Sequence, residues 1–226
     1  MKALPLLVPL ALLSAPSVIG AQETGTLLTR RPATVDGTSK AATRRTMQQV
    51  AICTVKTSPG RVEVALNTPV GGEDSTYMRL MSSLADGDCL VGLAELRMPP
   101  VVMRGALFEA AYDRAFGRSG PTDFKAVPAI NYLAPYSAEI SSEAANTIAL
   151  AQFGDCVSRA DGSNARKLMA TSPESTAELA AISDLAPRFA ACIPQGRTIS
   201  FSRSVARGAI AEGLYRLSRA AAGQSQ

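Results

Sequence analysis

The chain has 226 residues, with 23 Lys and Arg against 19 Asp and Glu, which gives a formal charge of +4. It has no histidine, which excludes Ser-His-Asp and Cys-His catalysis as well as histidine-ligated zinc or haem. Aromatic residues make up 5% of the chain, and the basic residues are scattered along it, unlike the basic stripe and stacking platform of a nucleic-acid-binding protein. We therefore predict no nucleic-acid partner, no metal and no cofactor.

The N-terminus has the pattern of a secretory signal peptide. Lys2 is followed by an apolar run over residues 3–13, and small residues then lead to Gly20 and Ala21. A short basic start, an apolar core and a small-residue exit are typical of a cleaved leader, so we predict a signal peptide over residues 1–21. No cysteine lies near the exit, which argues against a lipid anchor, and no later stretch is apolar enough to span a bilayer. A periplasmic or secreted protein is expected.

The rest of the chain contains an internal repeat. Cys53 and Cys89 are 36 residues apart, and so are Cys156 and Cys192. Fifteen residues after the second cysteine of each pair comes the string Arg-Gly-Ala-x-x-Glu-x-x-Tyr, and one offset of 103 residues superposes cysteines and strings without a gap. Two tandem homologous units are therefore predicted. The predicted segments are a flexible leader at 22–39, unit 1 at 40–116, a linker at 117–137, unit 2 at 138–220 and a tail at 221–226.

The four cysteines fit an oxidising compartment, where disulfides persist, and they allow three pairings. Duplication of a self-contained unit also duplicates its internal bridge, which favours Cys53–Cys89 with Cys156–Cys192. The alternative is crossed pairing of Cys53 with Cys156 and of Cys89 with Cys192. The chain has no C-x-x-C motif, so we predict structural bridges, each worth roughly 4 kcal/mol in the chain-entropy model.

Periodic apolar residues and an alanine-rich composition predict an all-α fold with about four helices in each unit. In unit 2, Ser142 is expected to be the N-cap of the first helix, and a later helix has Pro173 at its first helical position. Pro187 is expected to kink or divide that helix. The predicted helices of unit 2 span residues 142–160, 164–170, 173–191 and 202–220.

The repeated string is the candidate site. Its residues are Arg104, Gly105, Glu109 and Tyr112 in unit 1, and Arg207, Gly208, Glu212 and Tyr215 in unit 2. On a helix, the Gly, Glu and Tyr fall on one face together with apolar residues, which predicts a seam against a neighbouring helix. The glycine permits close backbone approach, and the tyrosine supplies a polar tip. A carboxylate within such a seam must be hydrogen-bonded or neutralised.

Two interpretations of these carboxylates remain open. In the structural one, each Glu accepts hydrogen bonds from a helix N-terminus or an Arg and locks the arrangement of its own unit. The Arg of the same string is a poor partner, because five positions place it about 140° around the helix. In the functional one, Glu109 and Glu212 face each other and hydrolyse a glycoside or bind a cation. Presence in both copies favours structure, so no catalytic residue is assigned beyond these two candidates.

Cys-x35-Cys followed by Arg-Gly-Ala-x-x-Glu-x-x-Tyr, occurring twice after a signal peptide, resembles uncharacterised, exported, internally duplicated helical proteins of alphaproteobacteria. The resemblance covers most of the mature chain. It implies a compartment and a context, and it implies no activity.

These observations predict a non-enzymatic, exported helical protein that serves as a binding or structural module. Its partner would be a protein or small-molecule ligand of the cell envelope, bound between the two units. One alternative is a cell-envelope hydrolase or ion-binding protein that uses Glu109 and Glu212. A second is an envelope-stress, chaperone-like protein, for which a sizeable exposed apolar patch would be the sign.

Overall fold

A computed structural model describes residues 27–29, 40–71, 75–84, 88–90, 95–97, 99–136, 140–193 and 202–224. The predicted signal peptide at 1–21, most of the leader at 22–39 and the last two residues lie outside these ranges. The described residues form eight α-helices and one short antiparallel ribbon, which confirms the predicted helical fold. None of the described helices is both long enough and apolar enough to cross a membrane.

The helices fall into two successive sets of four. The first set is α1 Lys40–Thr57, α2 Pro59–Asn67, α3 Thr76–Leu84 and α4 Pro100–Ala115. The second set is α5 Ser142–Ala160, α6 Gly162–Met169, α7 Thr176–Cys192 and α8 Arg203–Gln224. Each helix of the second set begins 100 to 103 residues after its counterpart in the first. The order and spacing of the helices thus recur along the chain.

A two-stranded ribbon precedes α4. Strand β1, Leu27–Thr29, pairs antiparallel with strand β2, Glu95–Arg97, so that Leu28 lies opposite Leu96. The sequence predicted a flexible leader here. Three residues are too few to show the alternating pattern by which a strand is predicted from sequence, so this strand was not predicted.

The N-caps of two helices differ from the prediction. Ser141 rather than Ser142 caps α5, its hydroxyl accepting a hydrogen bond from the backbone N–H of Ala144 at 3.2 Å. Ser175 caps α7 in the same way, with the N–H of Glu178 at 3.0 Å, so Pro173 precedes the helix instead of opening it. In both cases the predicted residue is of a type that often begins a helix, but a neighbouring serine provides the N-cap.

Two other features of these helices differ from the prediction in part. Pro187 does not divide α7, which continues through it to Cys192 as a single helix. α8 extends to Gln224, so the residues assigned to a tail at 221–226 are mostly helical. Alanine favours helix, and Ala220, Ala221 and Ala222 carry α8 past the predicted end.

The two disulfides join the predicted partners. Cys53 is bonded to Cys89 and Cys156 to Cys192, each with a Cα–Cα distance of 5.6 Å. The first bridge ties α1 to a short 3-10 turn, Asp88–Leu90, and the second ties α5 to the last residue of α7. Each bridge therefore fixes the first helix of its set to the segment that leads towards the last.

The core is divided into two clusters that share the central helices. α8 packs against both α4 and α5, and α4 packs against α1. Ala211 of α8 belongs to the core of the first set, and Tyr112 of α4 belongs to the core of the second. Each central helix thus completes the core of the other set, and this places the repeated string at the middle of the molecule.

Candidate functional site

The site is built where α4 and α8 cross. The crossing point is formed by Gly105 and Gly208, whose backbones lie so close that a Cβ added to Gly105 would meet the Gly208 Cα at 2.5 Å. The same construction on Gly208 gives 2.7 Å to the Gly105 Cα. Only glycine allows this approach, so the repeated glycines set the distance between the two helices.

The first ion pair across this crossing joins Arg207 of α8 to Glu109 of α4. The Nε and Nη2 atoms of Arg207 each donate a hydrogen bond to one carboxylate oxygen of Glu109, both at 2.7 Å. Gln48 of α1 adds a third hydrogen bond to Glu109, from its side-chain amide to Oε1 at 2.5 Å. Both charged side chains are buried, at 3% exposed for Arg207 and 7% for Glu109. A buried fork-to-fork pair of this kind fixes orientation as well as charge.

The second ion pair joins Arg104 of α4 to Glu212 of α8. The Nε atom of Arg104 donates to Oε2 of Glu212 at 3.1 Å, and its Nη2 atom donates to Oε1 at 2.8 Å. Arg216 also donates to Oε1 of Glu212, from Nε at 3.0 Å. Arg104 and Arg216 both reach the backbone carbonyl of Leu66 as well, at 3.3 and 3.1 Å. Glu212 therefore holds two guanidinium groups at the end of α2.

The crossed pairing revises the expectation for the buried carboxylates. They are neutralised by arginine, and the arginine that binds both oxygens of each carboxylate comes from the other set of helices, so these pairs tie the two sets together. Arg216 adds a contact to Glu212 within α8 itself. Arg104 contacts Glu212 and Arg207 contacts Glu109, so each pair joins the residue before one glycine to the residue four positions after the other. Each Glu lies four residues beyond its glycine, roughly 6 Å of helix rise, and the two lie on opposite sides of the crossing.

The electrostatics of Glu212 oppose a role as a general acid. Burial alone would raise the pKa of this carboxyl, but the charges of Arg104 and Arg216 and their hydrogen bonds outweigh it and lower the pKa below the ordinary 4.5. The pKa of Arg104 is raised despite its own burial, chiefly because Glu212 lies beside it. Both groups stay charged at neutral pH, whereas a catalytic acid needs a proton to give.

The Glu109 pair belongs to a wider ionic network. Arg207 also donates to the hydroxyl of Thr171 at 2.8 Å and to Glu178 at 3.3 Å. Glu178 is fully buried and accepts a hydrogen bond from the backbone N–H of Glu174 at 2.8 Å. Glu174 in turn forms an ion pair with Arg44 of α1. The network thus joins α1, α4, α7, α8 and the loop before α7.

The Glu212 pair is packed among aromatic rings instead. The guanidinium of Arg104 lies 4.9 Å from the ring centroid of Phe108 and 5.6 Å from that of Tyr77. Arg216 lies 5.1 Å from Phe108 and 5.9 Å from Tyr132. Cation–π contacts stabilise a buried guanidinium without adding charge. The two ion pairs have the same crossed arrangement, but charged and polar groups surround the Glu109 pair and aromatic rings surround the Glu212 pair.

The tyrosines of the repeated string do not act as a matched pair of polar tips. The hydroxyl of Tyr112 is buried and has no hydrogen-bond partner among the described residues, and it lies where a Cβ on Gly120 would meet it at 2.4 Å. Tyr215 is half-buried, with its ring 5.7 Å from that of Phe108. Both tyrosines serve mainly as packing groups beside the crossing.

Two grooves open beside the crossing, one at each carboxylate. We call them the Glu109 groove, a space of about 340 Å³ between α1, α4 and α6, and the Glu212 groove, of about 70 Å³. The functional interpretation required Glu109 and Glu212 to line one shared cleft. In the structure they line separate grooves. Sequence reasoning missed the basic residues beside the Glu109 groove, Arg118, Arg166 and Lys167, because they come from two separate segments that only packing brings together.

In the described part of the chain, no group of three or more His, Cys, Asp or Glu side chains is arranged to hold a metal ion. No protein-family model, curated protein or solved structure matches the sequence or the fold. The geometry of the crossing and of its two grooves is therefore what points to a function.

Proposed function

We propose that this chain is an exported, non-enzymatic binding or structural module. The observation that carries the proposal is the full engagement of both candidate carboxylates by buried arginines, Glu109 by Arg207 and Glu212 by Arg104. A carboxylate bound on both oxygens by a buried guanidinium supports a structural role, because both oxygens are already engaged in hydrogen bonds within the fold.

The proposal includes an origin by duplication, with units at 40–116 and 138–220. The 103-residue offset superposes the cysteines and the repeated string, and the helices of the two sets begin 100 to 103 residues apart. The crossed pairs have the same self-complementary form, since Arg104 and Arg207 are offset by 103 residues and so are Glu109 and Glu212. A self-complementary contact is what two copies of one unit form about a two-fold axis.

The proposal also places the chain in the periplasm or outside the cell, with residues 1–21 as a cleaved leader. The two disulfides support this, because such bonds persist in oxidising compartments. The resemblance to uncharacterised exported helical proteins of alphaproteobacteria is part of the same proposal and adds no activity to it.

Export is tested by expressing the full chain with its own leader in a bacterial host and isolating the osmotic-shock fraction. We expect intact-mass analysis to give a mature N-terminus at Ala21 or Gln22 and a mass four hydrogens below that of the reduced chain. An uncleaved, fully reduced protein confined to the cytoplasm would contradict the proposal.

The two alternative functions gain no support from the geometry. The hydrolase or ion-binding alternative needs Glu109 and Glu212 together in one open cleft, and each is buried in its own ion pair. The chaperone-like alternative needs a continuous apolar patch. The exposed large apolar side chains among the described residues come from separate elements, and they are Ile52, Val64, Leu133, Ile140 and Leu179.

A further inference from the structure

The walls of the two grooves are built from matching positions. Seven residues that line the Glu109 groove lie 103 positions from residues that line the Glu212 groove. Among them, Gln48, Glu109 and Thr171 correspond to Ala151, Glu212 and Thr68. The two grooves are therefore the same architectural feature at the two ends of the crossing, and their occupants can be compared directly.

The Glu212 groove is occupied by the chain's own linker. The hydroxyl of Tyr132 donates to Asp155 of α5 at 3.1 Å, and the hydroxyl of Tyr136 accepts from the backbone N–H of Val70 at 3.0 Å. Arg159 anchors the start of the same segment through the backbone carbonyls of Phe124, Val127 and Pro128. This non-helical segment is folded into turns over residues 131–136, and it leaves about 70 Å³ of the groove empty.

The Glu109 groove holds no such segment among the described residues. Its volume, about 340 Å³, lies within the range of natural ligand sites. Three cations line it, Arg118, Arg166 and Lys167, against the single exposed carboxylate of Asp113. Glu109 adds no free charge, because Arg207 already neutralises it. The groove is therefore electropositive and complementary to an acidic partner.

One pair of equivalent positions distinguishes what the two grooves accept. Asp155, which receives the tyrosine hydroxyl in the Glu212 groove, corresponds to Ile52 in the Glu109 groove. Ile52 is 47% exposed there. A side chain bound against Ile52 gains by apolar contact and has no hydrogen-bond acceptor to satisfy, so phenylalanine suits this position better than tyrosine.

We propose that the Glu109 groove binds a non-helical, acidic peptide segment of a partner protein, in the way that the Glu212 groove holds the linker. Carboxylates of the partner meet the cations of Arg118 and Lys167, and an apolar side chain packs against Ile52. This inference rests on the proposed binding function, since it names the site and the class of partner for that function.

Fluorescence anisotropy with two labelled peptides tests the inference on the full mature protein. Both peptides carry the linker sequence of residues 130–136 with its tyrosines changed to phenylalanine, one flanked by two glutamates at each end and the other by two lysines. We expect the glutamate peptide to bind at least about tenfold more tightly than the lysine peptide, and its affinity to fall as salt is added. Equal affinity of the two peptides, or no binding of either, would overturn the inference.

Paired variants locate the binding site. Arg118→Glu with Lys167→Glu reverses two exposed charges of the groove and is expected to weaken the glutamate peptide by at least about tenfold. Lys125→Glu with Arg188→Glu makes the same change of charge at exposed positions outside the groove, and we expect affinity within about twofold of the wild type.

An equal loss in both variant pairs would show a non-specific charge effect and would also overturn the inference. Either failure leaves the test of export untouched, because cleavage of the leader and oxidation of the cysteines are measured without a peptide. The failure of the groove and the failure of the proposed export can therefore be told apart.

Discussion

The negative charge of Glu212 pairs with the guanidinium groups of Arg104 and Arg216. Both guanidinium groups also donate to the backbone carbonyl of Leu66. Glutamine at this position could keep some of the hydrogen bonds, but it would leave Arg104 with its charge buried and uncompensated. The charge, and not only the hydrogen-bonding geometry, is therefore what the site requires.

Glu212→Gln is expected to lower the free energy of unfolding by about 3 kcal/mol, because removing one partner of a buried ion pair strands the other. Urea unfolding at neutral pH, followed by circular dichroism, measures the change. Asp184→Asn, an exposed site on α7, is the matched control, with an expected change within about 0.5 kcal/mol. Wild-type stability in Glu212→Gln would show that the ion pair does not stabilise the fold.

The same carboxyl gives the stability a pH dependence with a definite sign. Its pKa is lowered in the folded state from the ordinary 4.5, so its contribution is complete above about pH 4.5 and is lost as the pH falls through the folded-state pKa. The stability difference between wild type and Glu212→Gln should therefore be largest at pH 7 and should shrink at about pH 3.

Urea titrations at these two pH values measure that difference, with Asp184→Asn as the control for loss of an exposed carboxylate. A difference between wild type and Glu212→Gln that stays constant between the two pH values would contradict the assignment of a lowered pKa to Glu212.

At the scale of helices, the crossing of α4 and α8 is set by Gly105 and Gly208. Gly105→Ala should destabilise the fold by about 1–3 kcal/mol, because the new methyl group overlaps the Gly208 backbone and the helices must separate. Gly60→Ala in α2 is the control, since a Cβ there meets nothing within 4 Å. We expect it to be neutral or to stabilise by up to about 1 kcal/mol. Equal effects of the two substitutions in urea unfolding would show that the crossing is not tightly packed.

The same scale shows what the sequence could predict and why. Helices α5 to α8 and both disulfides follow from local periodicity and from the recurrence of the cysteine spacing. The partner of Glu109 could not be found in this way, because Arg207 is 98 residues away and meets it only once the helices cross. The cap of α7 was missed for a different reason. Ser175 caps the N–H of Glu178, and the Glu178 carboxylate accepts from the N–H of Glu174, but the proline two residues upstream of Ser175 offered a competing start signal.

For the molecule as a whole, the crossed pairs and the shared cores make the two sets of helices depend on each other. Tyr112 of α4 lies in the core of the second set, and Ala211 of α8 lies in that of the first. Unfolding of one set would expose apolar surface and unpaired charges on the other. The molecule should therefore unfold in one cooperative step, although its sequence consists of two similar parts.

Removal of one disulfide tests this dependence. Changing both Cys156 and Cys192 to Ala removes a 36-residue closed loop, worth about 4 kcal/mol in the chain-entropy model. Because α4 and α8 share one crossing, hydrogen exchange measured by mass spectrometry should then speed up in α4 as well as in α5 to α8.

The reciprocal variant, with Cys53 and Cys89 both changed to Ala, is the matched control and should speed exchange in α8 as well as in α1 to α4. Protection lost only within the set that carries the substitutions would mean that each set folds alone and that the crossed ion pairs merely join two finished domains. Protection lost in both sets would mean that the crossing is part of the core of each, so a partner bound in the Glu109 groove would stabilise the entire chain.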